Sequence, residues 1–210
     1  MLPWVRSPLI VSAPMLGAAT PALAVNVSGA GGVGFIAGNT KSDALDKALS
    51  EVAAIVKAEK SPIRCPPNTL PIGVGFQNWN CDLKVASNAI AKYLPAVAWL
   101  FAPTHTEDFR TWSQELRAAS KNRTQIWIQV GSVREATEAV RLTKPDVLIL
   151  QGTDAGGHGL AQSAGVVSLV PETLDALSTI GASDIPVLAA GGIVEGRGVA
   201  AALALGAQGV

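Results

Sequence analysis

Asp146-Val147-Leu148-Ile149-Leu150-Gln151-Gly152-Thr153-Asp154-Ala155-Gly156-Gly157-His158-Gly159 sets a short apolar run against a loop of glycines around one histidine. A run of this length, apolar at every position from Val147 to Leu150, suits a strand buried on both faces. Glycine serves where the backbone turns sharply or must approach a ligand closely. Histidine titrates nearest neutrality and so suits proton transfer. A glycine-rich loop with one imidazole at a strand end therefore reads as a cofactor site with a base beside it. The competing reading is a surface loop with an incidental histidine.

The same strand-then-helix unit recurs on both sides of this stretch. Upstream, Leu9-Ile10-Val11 is an expected first strand ending at Ala13-Pro14-Met15. Thr20 is then placed to cap a helix with Pro21 in its first turn. Strands are expected at 32–36, 70–76, 96–101 and 125–130. Helices are expected over 42–57, 83–93 and 106–120, with Leu45, Leu49, Val52 and Val56 on one helical face. Ser132 and Glu135 have capping-box spacing before a helix ending near Leu142. Downstream, Pro171 is expected to open a helix, Ile185 to Ala189 forms a strand, Gly191-Gly192 turns the chain, and 194–205 is helical. Gln208-Gly209-Val210 then reads as the start of an eighth strand.

Strands alternating with helices imply a parallel sheet with right-handed crossovers. Eight units without a change of pattern, and no GxGxxG after the first strand, favour a closed (β/α)8 TIM-barrel over an open doubly wound sheet. In such a barrel the chemistry lies at the C-terminal ends of the strands. Pro14 and Met15, Gly75 and Gln77, the loop from Gln151 to Gly159, and Gly191-Gly192 all fall there. A barrel of this class runs to about 250 residues, whereas this sequence has 210. The expectation is one barrel domain over 1–210, truncated in or before its eighth strand.

Composition narrows the classes. Lys plus Arg and Asp plus Glu number 16 each, so no net charge or basic run points to nucleic acid or an anionic membrane. Leu9 to Gly38 is apolar and follows Arg6, but Pro8, Pro14, Pro21 and the glycines from Gly29 to Gly34 interrupt any signal-like helix. No segment offers the roughly 20 uninterrupted apolar residues of a membrane span. Cys65 and Cys81 form neither a disulfide framework nor a CxxC pair, and they have no base nearby in sequence. An intracellular, cytoplasmic protein without a metal site is expected.

Ala13-Pro14-Met15-Leu16-Gly17, Gly31-Gly32-Val33-Gly34, the Gln151 to Gly159 loop and Pro186-Val187-Leu188-Ala189-Ala190-Gly191-Gly192-Ile193 together resemble the nitronate monooxygenase family, formerly 2-nitropropane dioxygenases. The resemblance implies an FMN-dependent flavoprotein barrel, an oxidoreductase that converts alkyl nitronates, and nitroalkanes beside them, with O2 to carbonyl compounds and nitrite. It places Gln151, Gly156 and Gly192 against FMN, Pro14 and Met15 against the flavin ring, and His158 as the base towards neutral nitroalkanes. Gly157 and Gly191 would let their amides approach the cofactor. The family's asparagine after the third strand is replaced here by Gly75, with Gln77 and Asn78 following. A glycine-threonine pair expected after the eighth strand has no counterpart.

Other residues have weaker claims. Asp154 is a candidate to orient the imidazole or simply to make the turn. Trp79 is a candidate pocket wall, Trp99, Trp112 and Trp127 are core candidates, and His105 is expected at the surface. Two further functional readings stand beside the oxygenase. One is an FMN-dependent NAD(P)H:quinone or enoyl-thioester reductase on the same barrel. The other is an inactive remnant whose two sheet edges are left open for want of a final strand.

Overall fold

The computed structural model describes residues 2–38, 41–58 and 63–210. Seven parallel strands follow one another in chain order round a single sheet: β1 (Val11–Ser12), β2 (Val33–Ala37), β3 (Leu70–Gln77), β4 (Pro95–Phe101), β5 (Gln125–Val130), β6 (Val147–Gln151) and β7 (Val187–Ala190). Between them run α1 (Pro21–Gly29), α2 (Ser42–Ala58), α3 (Leu83–Tyr93), α4 (Asp108–Ser120), α5 (Val133–Thr143) and α6 (Val166–Thr179), and α7 (Gly196–Ala204) follows β7.

The sheet closes on itself. Gly209 forms parallel bridges with both Leu188 and Leu9. The Ala189 amide donates to Gly209 O at 3.1 Å, the Val210 amide to Leu9 O at 2.9 Å and the Val11 amide to Val210 O at 2.8 Å. Residues 208–210 thus fill the eighth position. The two open sheet edges that the inactive-remnant reading supposes are paired here, because three residues of backbone bond both neighbours.

Alternation along each strand sorts the core into two layers. Ala98, Leu100, Ile126, Ile128, Leu148 and Leu150 face the helices. Val97, Trp99, Phe101, Trp127, Val147 and Ile149 face the barrel interior. There the Phe35 ring meets Trp99 edge-on at 5.1 Å and Trp127 at 5.5 Å, so aromatic volume fills the barrel. Trp4 seals the N-terminal end, its indole N–H bonded to Gly32 O at 2.9 Å.

The helix starts follow local chemistry. Thr20 accepts from the Leu23 amide and Asp82 from Val85. Ser132 accepts from the Glu135 amide, while the Glu135 carboxylate reaches back to the Gly131 amide at 3.0 Å. The expectation that Pro171 opens a helix is wrong: α6 starts at Val166, and Pro171 lies inside it. Burial of Leu169 and Val170 draws the helix start back one and a half turns. The proline forgoes one backbone bond, to the Val167 carbonyl, on a turn whose Val167 side chain is exposed.

Helix α1 lies so close to β2 that a Cβ on Gly34 would sit 1.9 Å from the Ala24 carbonyl oxygen. Gly34→Ala is expected to destabilise the barrel by about 3 kcal/mol through overpacking, which lowers Tm by roughly 6–12 °C for a chain of this size. A thermal melt followed by circular dichroism checks it.

Candidate functional site

All seven strands are parallel, so their C-terminal ends share one rim. Of the large apolar side chains left exposed, Met15 and Leu16 follow β1, Trp79 follows β3, Val167 follows the β6 loop and Val194 follows β7. Soluble surfaces rarely concentrate apolar groups in this way unless a ligand or another surface covers them. Met15 is 45% exposed, so it does not fill the core.

On one side of the rim, Pro14 packs on Gly75. A Cβ at Gly75 would lie 2.3 Å from Pro14 Cγ, so Gly75 seats the proline and its own inward face is covered. Gln77, at the end of β3, shares the inward-facing register of Gly73 and Gly75, and its carbonyl accepts from the Asn80 and Cys81 amides. Asn78 stitches this corner together: its Oδ1 accepts from the Phe101 amide at 2.9 Å and its amide donates to Phe101 O at 2.8 Å. Among the described residues the buried Nδ2 of Asn78 has no partner.

On the other side, the glycine-histidine loop is folded over the end of β6. Gln151 Nε2 donates to the His158 carbonyl at 3.2 Å, which holds the loop, while Gln151 Oε1 is buried without a partner among the described residues. Leaving such an acceptor unsatisfied costs about 1–3 kcal/mol. Gly156 and Gly157 have open space where a side chain would point. His158 is exposed, and among the described residues nothing bonds its imidazole. Asp154 is likewise exposed in the turn; no hydrogen bond ties it to the imidazole, which leaves it the turn role.

Gly191 and Gly192 pack against this loop. Both have positive φ, +105° and +71°. A Cβ at Gly191 would meet Gly152 O at 2.9 Å, and one at Gly192 would meet the Asp154 Cβ at 2.9 Å. Their glycine identity is thus explained by contact between two loops of the protein, a relation between distant segments that reading the turn alone does not reveal. Beyond them α7 begins with no side-chain cap, since Glu195 pairs instead with Arg197 Nε at 3.0 Å. Its first-turn amides are free to meet an anion.

The structure therefore places the expected residues on one rim, with Pro14 against Gly75 and the loop from Gln151 to His158 against Gly191 and Gly192 through Gly152, Asp154 and Ala155. It adds Gln129 on β5, 7% exposed, whose Oε1 accepts from Trp99 Nε1 at 2.8 Å. Its signal in the sequence is the inward parity it shares with Trp127. Trp99, Trp112 and Trp127 are buried, as expected of core residues, while His105 and Trp79 are exposed. Burial pushes both thiols, Cys65 and Cys81, above the ordinary cysteine range, which keeps them protonated and poorly nucleophilic.

Two cavities differ in where they lie. One of about 200 Å³ lies at the rim between the ends of β4 and β5 under Leu160. The larger, about 700 Å³, is a groove between α2 and α3 on the outer wall, lined by Asp43, Asp46, Lys47 and Lys92. Lys92 Nζ bonds Asp46 Oδ1 at 2.6 Å and holds that carboxyl below its ordinary range, so the groove is a solvated charged face and no part of the rim. Among the described residues no helix is long and apolar enough to cross a membrane.

A closed parallel barrel with a glycine-lined, partly apolar C-terminal rim defines an α/β-barrel of the kind built for small ligands. Residues 106–210 match the family described as nitronate monooxygenase. The whole chain is 49% identical to nitronate monooxygenase npaC of Metarhizium robertsii and spans 58% of that protein. It is 36% identical over 99% of its length to the nitronate monooxygenase of Neurospora crassa, spanning 59% of it. FabK from Thermotoga maritima has a similar structure, with a TM-score of 0.73 at 30% identity, covering 98% of this chain and 57% of that one. Nitroalkane oxidase from Streptomyces ansochromogenes gives a TM-score of 0.75 at 25% identity, covering 98% and 64%. This chain belongs to the nitronate monooxygenase family, and it spans less than two thirds of these relatives' lengths.

Proposed function

We propose that the rim binds FMN and that the protein oxidises alkyl nitronates, and neutral nitroalkanes after deprotonation, with O2 to carbonyl compounds and nitrite. The observation that carries this reading is Gln151. Its orphaned Oε1, buried beside the loop of His158, calls for a ligand N–H, and the pyrimidine edge of a flavin offers one.

The other residues at the rim fit the same group. Pro14 and the half-exposed Met15 offer apolar surface to a planar ring. Gln77 offers a further amide at the end of β3, beside the proline-covered Gly75. Gly156 and Gly157 leave room for backbone to approach. The uncapped start of α7 suits a phosphate, while Gly191 and Gly192 hold the His158 loop in place. Bound there, the flavin supplies the electron-accepting chemistry.

The protein manages the proton and the charge. A neutral ring nitrogen of His158 removes a proton from the carbon next to the nitro group, which yields the nitronate. Towards a substrate that arrives as an anion, the protonated imidazole attracts it electrostatically. Because the imidazole is exposed and unbonded, it is free to take either role.

Steady-state assays separate this from the reductase reading. The expected result is rapid O2 uptake with propionate 3-nitronate and no NADH or NADPH oxidation. Pyridine nucleotide oxidation with a quinone or enoyl thioester, without nitronate-dependent O2 uptake, would instead establish the reductase.

A further inference from the structure

The cavity of about 200 Å³ under Leu160 contains a polar device that the reading above does not use. Gln129 faces into the barrel mouth and is nine-tenths buried. Its amide orientation is fixed by chemistry: an indole N–H can only donate, so the atom meeting Trp99 Nε1 must be the amide oxygen. Nε2 is therefore a held donor in a cavity wall, and no described residue accepts from it. Across the cavity lies Glu135, whose Oε2 is engaged by the Gly131 amide. Pro103, Phe109 and Leu160 supply apolar walls.

This combination selects a ligand. A fixed donor asks for an acceptor-only oxygen group, the walls ask for a short alkyl chain, and the Glu135 carboxylate opposes an anion. The volume is that of about six or seven waters in the liquid. Leu160 lies two residues beyond His158 and its Cδ1 would be 3.2 Å from a Cβ on Gly131, so the loop bearing the candidate base also walls the cavity.

We infer that this cavity binds short neutral nitroalkanes, with Gln129 Nε2 donating to a nitro oxygen and Glu135 excluding carboxylates of the same size. The choice of ligand rests on the nitroalkane reading proposed above. Gln129 is then a specificity-determining residue that screens the neutral substrate.

Saturation-transfer difference NMR with 1-nitropropane and its anionic counterpart, butyrate, tests this on the full chain. The ligand's own signals are observed, so the result does not depend on flavin being bound, and a failed flavin reading is recognised separately by its spectrum. Wild-type protein should transfer saturation to 1-nitropropane and not to butyrate. Gln129→Glu keeps the acceptor for Trp99 but replaces the donor, and should weaken nitropropane binding about tenfold or more, as expected when a buried hydrogen bond is lost. Leu160→Trp, on a half-buried loop position, should do the same by filling the cavity without touching the Gln129–Trp99 pair. Glu135→Gln should admit butyrate. No transfer to 1-nitropropane in the wild type, equal transfer to butyrate, or undiminished transfer in both Gln129→Glu and Leu160→Trp would overturn the proposal.

Discussion

His158→Ala is expected to lower turnover of neutral nitroalkanes by about 10²–10⁴-fold, the usual contribution of a positioned general base, while turnover of preformed nitronates falls much less. The reason is that only the neutral substrate must lose a carbon-bound proton within the site. Bound flavin should be unchanged, because the hydrogen bond from Gln151 to position 158 uses the backbone carbonyl, which alanine retains. Fold stability should also be unchanged, since the imidazole is exposed and nothing in the described structure is bonded to it. Initial rates on nitroethane and on its nitronate, measured side by side with the flavin spectrum, check all three statements. Equal turnover of the neutral substrate by wild type and variant would remove His158 from the reaction.

Gly192→Val should abolish flavin retention and with it all turnover. At φ +71° a β-branched residue is strained by about 1–2 kcal/mol. Its Cβ would also press on Asp154 Cβ at 2.9 Å, adding about 1–3 kcal/mol of overpacking. The loop from Gly152 to Gly159 must yield, and Gln151 and His158 move with it. The buried layers of the barrel lie away from this contact, so the variant should still fold cooperatively. Flavin released on gel filtration, beside a circular dichroism spectrum like the wild type's, is the expected outcome. A variant that keeps its flavin would show that loop contact does not position the cofactor site.

Where pattern is local, the sequence was a good guide. Helix α3 and strand β5 lie at the expected bounds, 83–93 and 125–130, because an N-cap, an apolar period and a glycine or proline stop all act within a few residues. The loop of His158 falls at a strand end for the same reason. What the sequence concealed depends on contacts between distant segments. Pro171 reads as a helix start until burial of Leu169 and Val170 extends the helix behind it. Gly191 and Gly192 read as a local turn, and their contact with the turn at Asp154 joins segments too far apart for a pattern to show. Gln129 looks like one polar residue in an apolar strand, and only the indole of Trp99, thirty positions earlier, fixes which end of its amide is free.

The most direct test of the central claim is a visible spectrum of the purified chain, mixed with excess FMN and passed through gel filtration. Flavin absorption close to equimolar with protein, shifted from that of free FMN and lost in Gly192→Val, is the predicted result. A folded protein that elutes colourless would contradict the account, because the orphaned oxygen of Gln151, the open glycines and the exposed apolar rim would then have no common ligand.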